Sequence, residues 1–427
     1  MKLIRVGVLG CGNVGAPLVS LIARQQAVIE ARKGVRLEVV AVAVRSLAKV
    51  RDITLPGGAL TTDAMAVVNN PDVDVVVELI GGVEPARALI TAALRNGKPV
   101  ITGNKELLAK HGAELYALAD ELGVDLLFEA AVAGGIPIVR ALRESLRGEP
   151  VSRIMGIIKG TTNFILTKMT EEGAEYADVL AEAQALGYAE VDPTADVEGY
   201  DAGAKAAIMA CIAFGADVVA GDVHHEGISA LTAADITMAK RLGYVVKLLG
   251  IAEQDRATGA IGVRVHPTMV PFTHPLASVR LAYNAVFVEG DSVGSLMFYG
   301  RGAGGDPTAS AVLGDVIDAA TNLSKNTHAT LGAFPRAAIR PIDEITTEYL
   351  LSMDVADRPG VLHAVTGVFA RHGVSIRAAE QEGHGADARL VFITHDAVEA
   401  SLQATVRELR GLDEVLKVGT VLRVIKA

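Results

Sequence analysis

A short apolar run, Lys2 to Leu9, passes straight into Gly10-Cys11-Gly12-Asn13-Val14-Gly15, and this GxGxxG junction constrains the chain more than any other feature. A strand that stops at Gly10 must turn at once into a helix, expected from Ala16 to about Glu30. The first glycine permits the tight turn, the second lets the backbone approach a pyrophosphate, and the third packs helix on strand. The helix N-terminus faces the phosphates, so Gly10, Gly12, Asn13, Val14 and Gly15 are candidate dinucleotide contacts. A glycine-rich turn without a ligand is the plainer alternative, and the strand–turn–helix context argues against it. A second strand, Leu37 to Val44, ends in Arg45-Ser46, where an acidic residue would suit a bare ribose. Arginine there suits a 2′-phosphate better than it suits solvent alone, which favours NADP and leaves NAD acceptable, with Lys49 near enough to add to it.

Strand and helix patterns keep alternating to about residue 130. Val73 to Leu79 and Pro99 to Thr102 are apolar strands, and Ala86 to Asn96 and Glu106 to Gly123 are helices, which predicts a parallel sheet covered on both faces. Ligands of such sheets bind beyond the strand carboxyl ends, where Thr102-Gly103-Asn104-Lys105-Glu106 lies. A cation is disfavoured at a helix start, so Lys105 is a candidate site residue rather than a mere partner of Glu106. Strand Asp125 to Phe128 leads through Glu129 to Pro137 into a region of antiparallel-looking strands, Ile154 to Lys159, Ala260 to Val270 and Asn284 to Gly290. Arg301 to Pro307 then opens a helix, about 306–320, that returns to the first sheet. The expected division is 1–133 for a Rossmann-type parallel sheet, 134–320 for an α+β catalytic and dimerisation domain, 321–348 for a linker, and 349–427 for a small C-terminal domain.

From Met169 to Ala239 the only lysine or arginine is Lys205, and just before it stand Glu190, Asp192, Asp196, Glu198 and Asp201. Gly187, Asp192-Pro193 and Gly199 break the chain into loop, and a helix is expected from Asp201, its N-cap, to about Gly215. Asp201 and Lys205 are four apart and share a face. A surface ion pair is the bland account, but Ile208, Met209, Ile212 and Phe214 make this helix apolar almost all round. A lone ammonium among carboxylates at the mouth of a buried helix suits a proton donor beside a bound amine.

Composition closes off other classes. A chain of 427 residues, half of them hydrophobic, can bury two or three domains. Its net charge of −10 argues against nucleic-acid or anionic-membrane partners. No uncharged apolar stretch is long enough to span a bilayer, and Arg5 with the glycines interrupts any signal-like segment. Two cysteines, Cys11 and Cys211, fit a reducing cytoplasm better than a disulfide framework. His224 and His225 are adjacent and should point apart, as solvated or capping groups rather than a metal pair.

The segment from Ala183 to Lys205 resembles the homoserine dehydrogenase signature, at Ala183, Gly187, Tyr188, Ala189, Asp192-Pro193, Asp196-Val197, Gly199, Asp201 and Lys205. TGNKELLAKHG, EAAVAGGIPIV, KGTTNFILTKM and RGAGGDPTA are similar to further motifs of that family, so the resemblance covers essentially the whole chain. It implies Lys205 as the acid/base residue, Lys105 as a second lysine near nicotinamide and substrate, and Glu190, Asp201 and Asp196 around the amino-acid substrate. It also implies Gly187 and Gly302 along the cofactor. Glu129, with the backbone of Val132, Gly134 and Ile136, would hold an alkali-metal ion, Na+ or K+. The reaction implied is reversible hydride transfer between L-homoserine and L-aspartate 4-semialdehyde, in threonine, methionine and isoleucine biosynthesis. The departures from the family pattern are minor, Lys159 where asparagine is common and Cys11 within the glycine turn, and neither removes a group to which the resemblance assigns a role. Aspartate-semialdehyde dehydrogenase chemistry would need a reactive thiol, and Cys211 is buried by pattern; a non-catalytic sensor would not need Lys205 among carboxylates.

Beyond residue 349 the order is strand Tyr349 to Val355, helix Val361 to His372, strands Val374 to Gln381 and Arg389 to His395, helix Glu399 to Arg410 and strand Leu416 to Val424. This βαββαβ order is ferredoxin-like. DRPGVL and HGVSI resemble the ACT module, which implies an amino-acid effector, threonine in this pathway, and a homo-oligomer; a purely dimerising role is the alternative.

Overall fold

The computed structural model describes residues 2–51, 53–55, 59–383 and 388–425. The first sheet is built from β1 (Lys2–Leu9), β2 (Val35–Ala43), β3 (Leu60–Thr61), β4 (Val75–Glu78), β5 (Val100–Thr102) and β6 (Leu126–Leu127). These run parallel in the order β3-β2-β1-β4-β5-β6, so the chain reverses direction across the sheet beside β1. That point is where open parallel sheets leave a crevice for ligand. α2 (Ala64–Asn69), α3 (Ala86–Arg95) and α4 (Lys105–Leu122) pack one face. α1 (Gly15–Lys33) packs the other. β3 and α2 escape the sequence reading because they are so short; α2 is six residues long and held by its cap, Asp63 accepting the Ala66 amide at 2.9 Å.

After β6, α5 (Ile138–Arg140) continues as a wide turn into the second sheet. Its strands are β7 (Val151–Ile157), β8 (His224–His225), β9 (Tyr244–Gln254), β10 (Ile261–Pro271), β11 (Tyr283–Gly290) and β12 (Gly294–Arg301). Against it lie α6 (Gly160–Glu172), α7 (Tyr176–Ala185), α8 (Thr194–Val197), α9 (Tyr200–Phe214) and α10 (Ala233–Arg241). β9 gives no alternating signal because both its faces are covered, from Val246 to Ala252. α9 is buried from Asp201 to Cys211 between the sheet and α4, as its apolar circumference requires. Asp201 is not its cap, however: Gly199, at φ 84, is the N-cap and Asp201 is the second helical residue, which leaves its carboxylate to other partners.

α11 (Gly305–Lys325) returns to the first sheet as expected, running past the anticipated end near 320. Ala309, Val312, Leu313, Val316, Ala319 and Ala320 recur at helical spacing and bury against Ile4, Val6 and Val8 of β1 and against α1. The segment expected as a linker is therefore helix at its start. Further on it is tied to the second region by bridges Asp217 to Arg336 and Ile261 to Ile339.

The C-terminal unit has the expected order: β13 (Thr346–Val355), α12 (Val361–Arg371), β14 (Ile376–Glu382), β15 (Arg389–Thr394), the short β16 (Ala397–Val398), α13 (Glu399–Leu409) and β17 (Val415–Val424). It is not an isolated body. β17 pairs in parallel with β10, Thr268 opposite Arg423, so one sheet runs β12-β11-β7-β9-β10-β17-β13-β15-β14. Arg423, 3% exposed, clamps the junction. Its Nη1 and Nη2 each donate to Glu226 at 2.7 Å, and its Nε and Nη2 each donate to Glu399 at 2.8 Å. Two bidentate carboxylates fully oppose one buried guanidinium, the geometry in which such a pair is worth its desolvation. No helix among the described residues is long and apolar enough to cross a membrane.

Candidate active site

The glycine turn is shaped as its motif demands. Gly10 sits at φ 99, and a Cβ there would lie 2.7 Å from the Leu79 carbonyl oxygen. A Cβ on Gly15 would collide with the Gly10 carbonyl, so Gly15 is a packing residue and lines neither cleft. Gly12 faces open space instead. α1 starts beyond it with no side-chain cap; its Ala16 amide donates to the Gly12 carbonyl at 3.1 Å and Pro17 has no N–H, so of its first three residues Gly15 keeps an amide for an anion.

Two clefts meet at this turn. One, of about 550 Å³, contains Gly10, Gly12, Arg45, Lys49 and Arg51. Arg51, which the sequence reading passed over, donates to the carbonyls of Cys11 (3.3 Å), Lys49 (2.7 Å) and Ser46 (3.0 Å), and so ties the glycine turn to the Arg45 loop. Its only signal was a basic run, Arg45, Lys49 and Arg51. The other cleft, of about 590 Å³, contains Asn13, Val14, Lys105, Gly187, Lys205 and Gly302. A ligand crossing the turn reaches both.

Lys105 is set by the ends of β4 and β5. Buried Glu78 accepts the amides of Ile80 (2.7 Å) and Gly81 (3.0 Å) and the Thr102 hydroxyl (2.6 Å). Asn104 caps α4 by accepting the Leu107 amide at 3.1 Å and donates to the Gly82 carbonyl at 2.6 Å. Lys105 follows as the first residue of α4, where Glu106 turns outward to Lys110. Its partner is Asp201, at 2.7 Å from Oδ1.

Asp201 also holds Lys205. The Lys205 Nζ donates to Asp201 Oδ2 at 2.7 Å and to the Ile158 carbonyl at 2.8 Å. A third lysine, Lys159, lies 3.8 Å from Asp201 Oδ2 and 2.5 Å from Asp196 Oδ1. Burial alone would raise the Asp201 carboxyl, but Lys205, Lys105 and Lys159 hold it well below the carboxylate range. Burial lowers Lys205 below the ordinary lysine value, more than Asp201 can restore, with Lys105 and Lys159 pushing the same way. For Lys105 the balance is reversed: burial opposes its charge, and Asp201 outweighs it. One carboxylate therefore serves two lysines whose affinities for a proton move apart.

A third cleft, of about 550 Å³, shares Lys105, Lys159 and Asp201 with the one above and adds Glu190, Asp192, Asp196, Tyr200 and His225. Glu190 and Asp192 are exposed at its rim, whereas Asp196 is half-buried. The two adjacent histidines diverge as expected: His225 packs against Tyr200 in a tilted pair with ring centres 5.0 Å apart, and His224 pairs with Glu226 at 2.8 Å.

Glu129 lies apart from the lysines. Its oxygens accept the amides of Val139 (2.9 Å) and Arg140 (2.7 Å) at the start of α5, and the Ile136 carbonyl accepts the Ile138 amide at 2.8 Å. Ala133 and Gly134 both take left-handed backbone, φ 53 and 52, which brings Gly134 against the Gly302 carbonyl. Cys211 is no nucleophile: its thiol is pushed up to about 11 by burial and meets the Val218 carbonyl at 3.2 Å.

Residues 10–129 match the homoserine dehydrogenase NAD-binding domain, residues 137–317 the homoserine dehydrogenase family, and residues 349–414 the ACT domain. The chain is 49% identical to the homoserine dehydrogenase of Corynebacterium glutamicum over 98% of its length and 95% of that protein. It superposes on the crystal structure of a homoserine dehydrogenase from Thiobacillus denitrificans with a TM-score of 0.94 and 43% identity, covering 100% of this chain and 99% of that one. A hyperthermophilic archaeal homoserine dehydrogenase in complex with NADPH aligns with a TM-score of 0.63 and 29% identity, over 75% of this chain and 98% of that one. With two catalytic lysine candidates on one aspartate beside a dinucleotide-binding turn, and with likeness along its full length, this chain belongs to the homoserine dehydrogenase family, carrying an NAD-binding domain before its catalytic region and an ACT domain after it.

Proposed function

We propose that the chain interconverts L-homoserine and L-aspartate 4-semialdehyde with NADP(H), using Lys205 as the proton donor and acceptor. The observation that carries this reading is the sharing of Asp201 by Lys105 and Lys205, each at 2.7 Å, inside the cleft that opens from the glycine turn. The bound dinucleotide supplies the hydride chemistry, and the protein aligns the carbons and handles the proton. As hydride reaches the aldehyde carbon, charge grows on its oxygen. Lys205 has two donors committed to Asp201 and Ile158 and a third left for that oxygen. Lys105 adds electrostatic stabilisation from the other side of Asp201. In the oxidising direction Lys205 must be neutral to take the alcohol proton, and its lowered proton affinity makes that form accessible.

Glu190 is the proposed acceptor for the substrate ammonium, with Asp196 and Asp201 supporting the field around it. Asn13, Val14, Gly187 and Gly302 border the nicotinamide half of the cofactor, and Arg45 takes the 2′-phosphate. Glu129 with the carbonyls of Val132, Gly134 and Ile136 offers only hard oxygen donors, the set that Na+ or K+ takes, and an ion there would steady the turn resting on Gly302. Two free cysteines suit a reducing cytoplasm. The ACT unit is proposed to bind threonine in a cavity of about 390 Å³ formed by the Asp357–Gly360 turn, the start of α12 and Gln381. Gly360, at φ 95, leaves α12 without a side-chain cap; Val361 donates to the Arg358 carbonyl at 3.4 Å, and the amides of Leu362 and His363 are those offered to an amino-acid carboxylate.

Lys205→Ala should lower kcat on the order of 10²-fold or more in both directions while NADP binding changes little, because positioned proton transfer contributes about that much. Initial rates and NADPH fluorescence titration read both quantities, and near-normal turnover would remove Lys205 from its role. Arg45→Ala should raise KM for NADP selectively, by roughly the 1.5–3 kcal/mol of a charge-assisted contact, and leave NAD almost untouched. Equal loss with both cofactors would assign Arg45 to folding of its loop. For the ACT unit, truncation is a poor test, since β17 belongs to the same sheet as β10. Calorimetry on the intact enzyme should instead show threonine binding together with inhibition, a coupling of roughly 1–3 kcal/mol. If no proteinogenic amino acid binds, the unit serves association alone.

A further inference from the structure

Lys159 lines the site beside the two catalytic lysine candidates, and the reaction described above gives it no atom of the substrate to hold. Its placement is far from casual. It is the N-cap of α6, directly after Ile158, whose carbonyl receives Lys205, and its side chain is 22% exposed, between Lys205 at 11% and Lys105 at 42%. Lys105, Lys159 and Asp201 line both the cleft that holds Lys205 and the cleft that holds Glu190, so they form the wall between them.

The charges around this wall do not balance. Three ammonium groups, Lys105, Lys159 and Lys205, face two inner carboxylates, Asp201 and Asp196. Glu190 and Asp192 stand at the exposed rim, and Glu106 is turned to Lys110. Asp201 spends Oδ1 on Lys105 and Oδ2 on Lys205, and is too far from Lys159, at 3.8 Å, for a hydrogen bond. An ammonium has three donors, and Asp196 takes one of those of Lys159. A half-buried cation with donors to spare, beside an excess of positive charge, is a receptor for an anion. Gly160 and Thr161, the uncapped first turn of α6, line the same cleft and add backbone amides at that spot.

We propose that Lys159 is a specificity-determining residue that binds the α-carboxylate of the amino-acid substrate, with the ammonium left to Glu190 across the wall. This rests on the homoserine reading above and extends it: the enzyme selects an amino acid over a simple amino alcohol through a lysine of its own. Lys105 is unsuited to the same task, because Asp201 holds it at 2.7 Å beside the reacting oxygen.

The test compares L-homoserine with 3-aminopropan-1-ol, which keeps the alcohol and the amine and lacks the carboxylate. In Lys159→Met, and in Lys159→Asn as a second variant, KM for homoserine should rise about 10- to 100-fold, the loss of one charge-assisted hydrogen bond. kcat should change by a smaller factor than KM does, and Lys159→Arg, which keeps the charge beside Asp201, should restore both. The constant for inhibition by 3-aminopropan-1-ol should hardly move. Unchanged KM in the folded variants would overturn the proposal. So would an equal loss for both compounds, or a fall in kcat with a shifted pH profile at constant KM, which would make Lys159 a tuner of Lys205. A wild-type enzyme that fails to oxidise homoserine at all would bring down the underlying reading itself, and the proposal with it.

Discussion

Asp201 is the charge on which the site depends. It is 8% exposed and sits one residue into a helix of almost wholly apolar character, a place where an unpaired carboxylate would be costly. It is stable there because lysines from three separate elements converge on it: Lys105 from the start of α4, Lys159 from the entry to α6 and Lys205 from one turn along its own helix. Lys205, the buried one of the three, in turn needs that anion. Breaking such a cluster by removing one member typically costs 3–5 kcal/mol, because the remaining charges are left without an opposite. The same dependence makes the site precise, since α4 belongs to the first sheet and α6 and α9 to the second. Domain packing and catalytic geometry are thus one constraint.

Other contacts keep the two sheets in register around it. α11 leaves the Gly302 loop in the second region and buries its apolar stripe against β1 and α1 of the first, so the loop and the glycine turn are held by one helix. Gly134, in the turn that follows the first sheet, presses on the Gly302 carbonyl. At the far edge, Arg423 joins the ACT unit to Glu226, which follows directly on His225, the residue packed against Tyr200 in the lining of the Glu190 cleft. An effector bound at α12 would therefore act on a unit whose last strand is already part of the catalytic sheet.

Much of this was legible from the residues. The parallel sheet, the returning helix and the βαββαβ tail follow from periodicity and breakers, and Lys105 and Lys205 were conspicuous for standing where cations are disfavoured or scarce. What escaped did so for physical reasons. β9 is covered on both faces and shows no alternation, and β3 is a two-residue edge with no pattern to detect. Asp201 looked like a helix cap, since an aspartate at a helix start usually is one; the left-handed Gly199 begins the helix earlier and frees it. Arg51 reads as one more loop cation until its three carbonyl partners are seen. Lys159 was visible only as a departure, because its meaning lies in a charge count over four elements distant in sequence. The sheet shared by β10 and β17 is likewise a pairing across the chain that local pattern cannot reveal.

The central claim is that burial lowers the proton affinity of Lys205 and Asp201 restores part of it, so that the proposed donor can both give and take the proton. The most direct measurement is the pH dependence of the hydride-transfer step, by stopped flow at saturating substrate in both directions, for the wild type and for Asp201→Asn. In the proposed mechanism, reduction needs protonated Lys205 and oxidation needs the neutral form. The wild-type rate should therefore fall with pH in one direction and rise in the other, through a common midpoint below the ordinary lysine value of about 10.4. Loss of the carboxylate removes what favours the charged form, so Asp201→Asn should move that midpoint to lower pH. Limbs of the same sign in both directions, or a midpoint that Asp201→Asn leaves in place, would contradict the account.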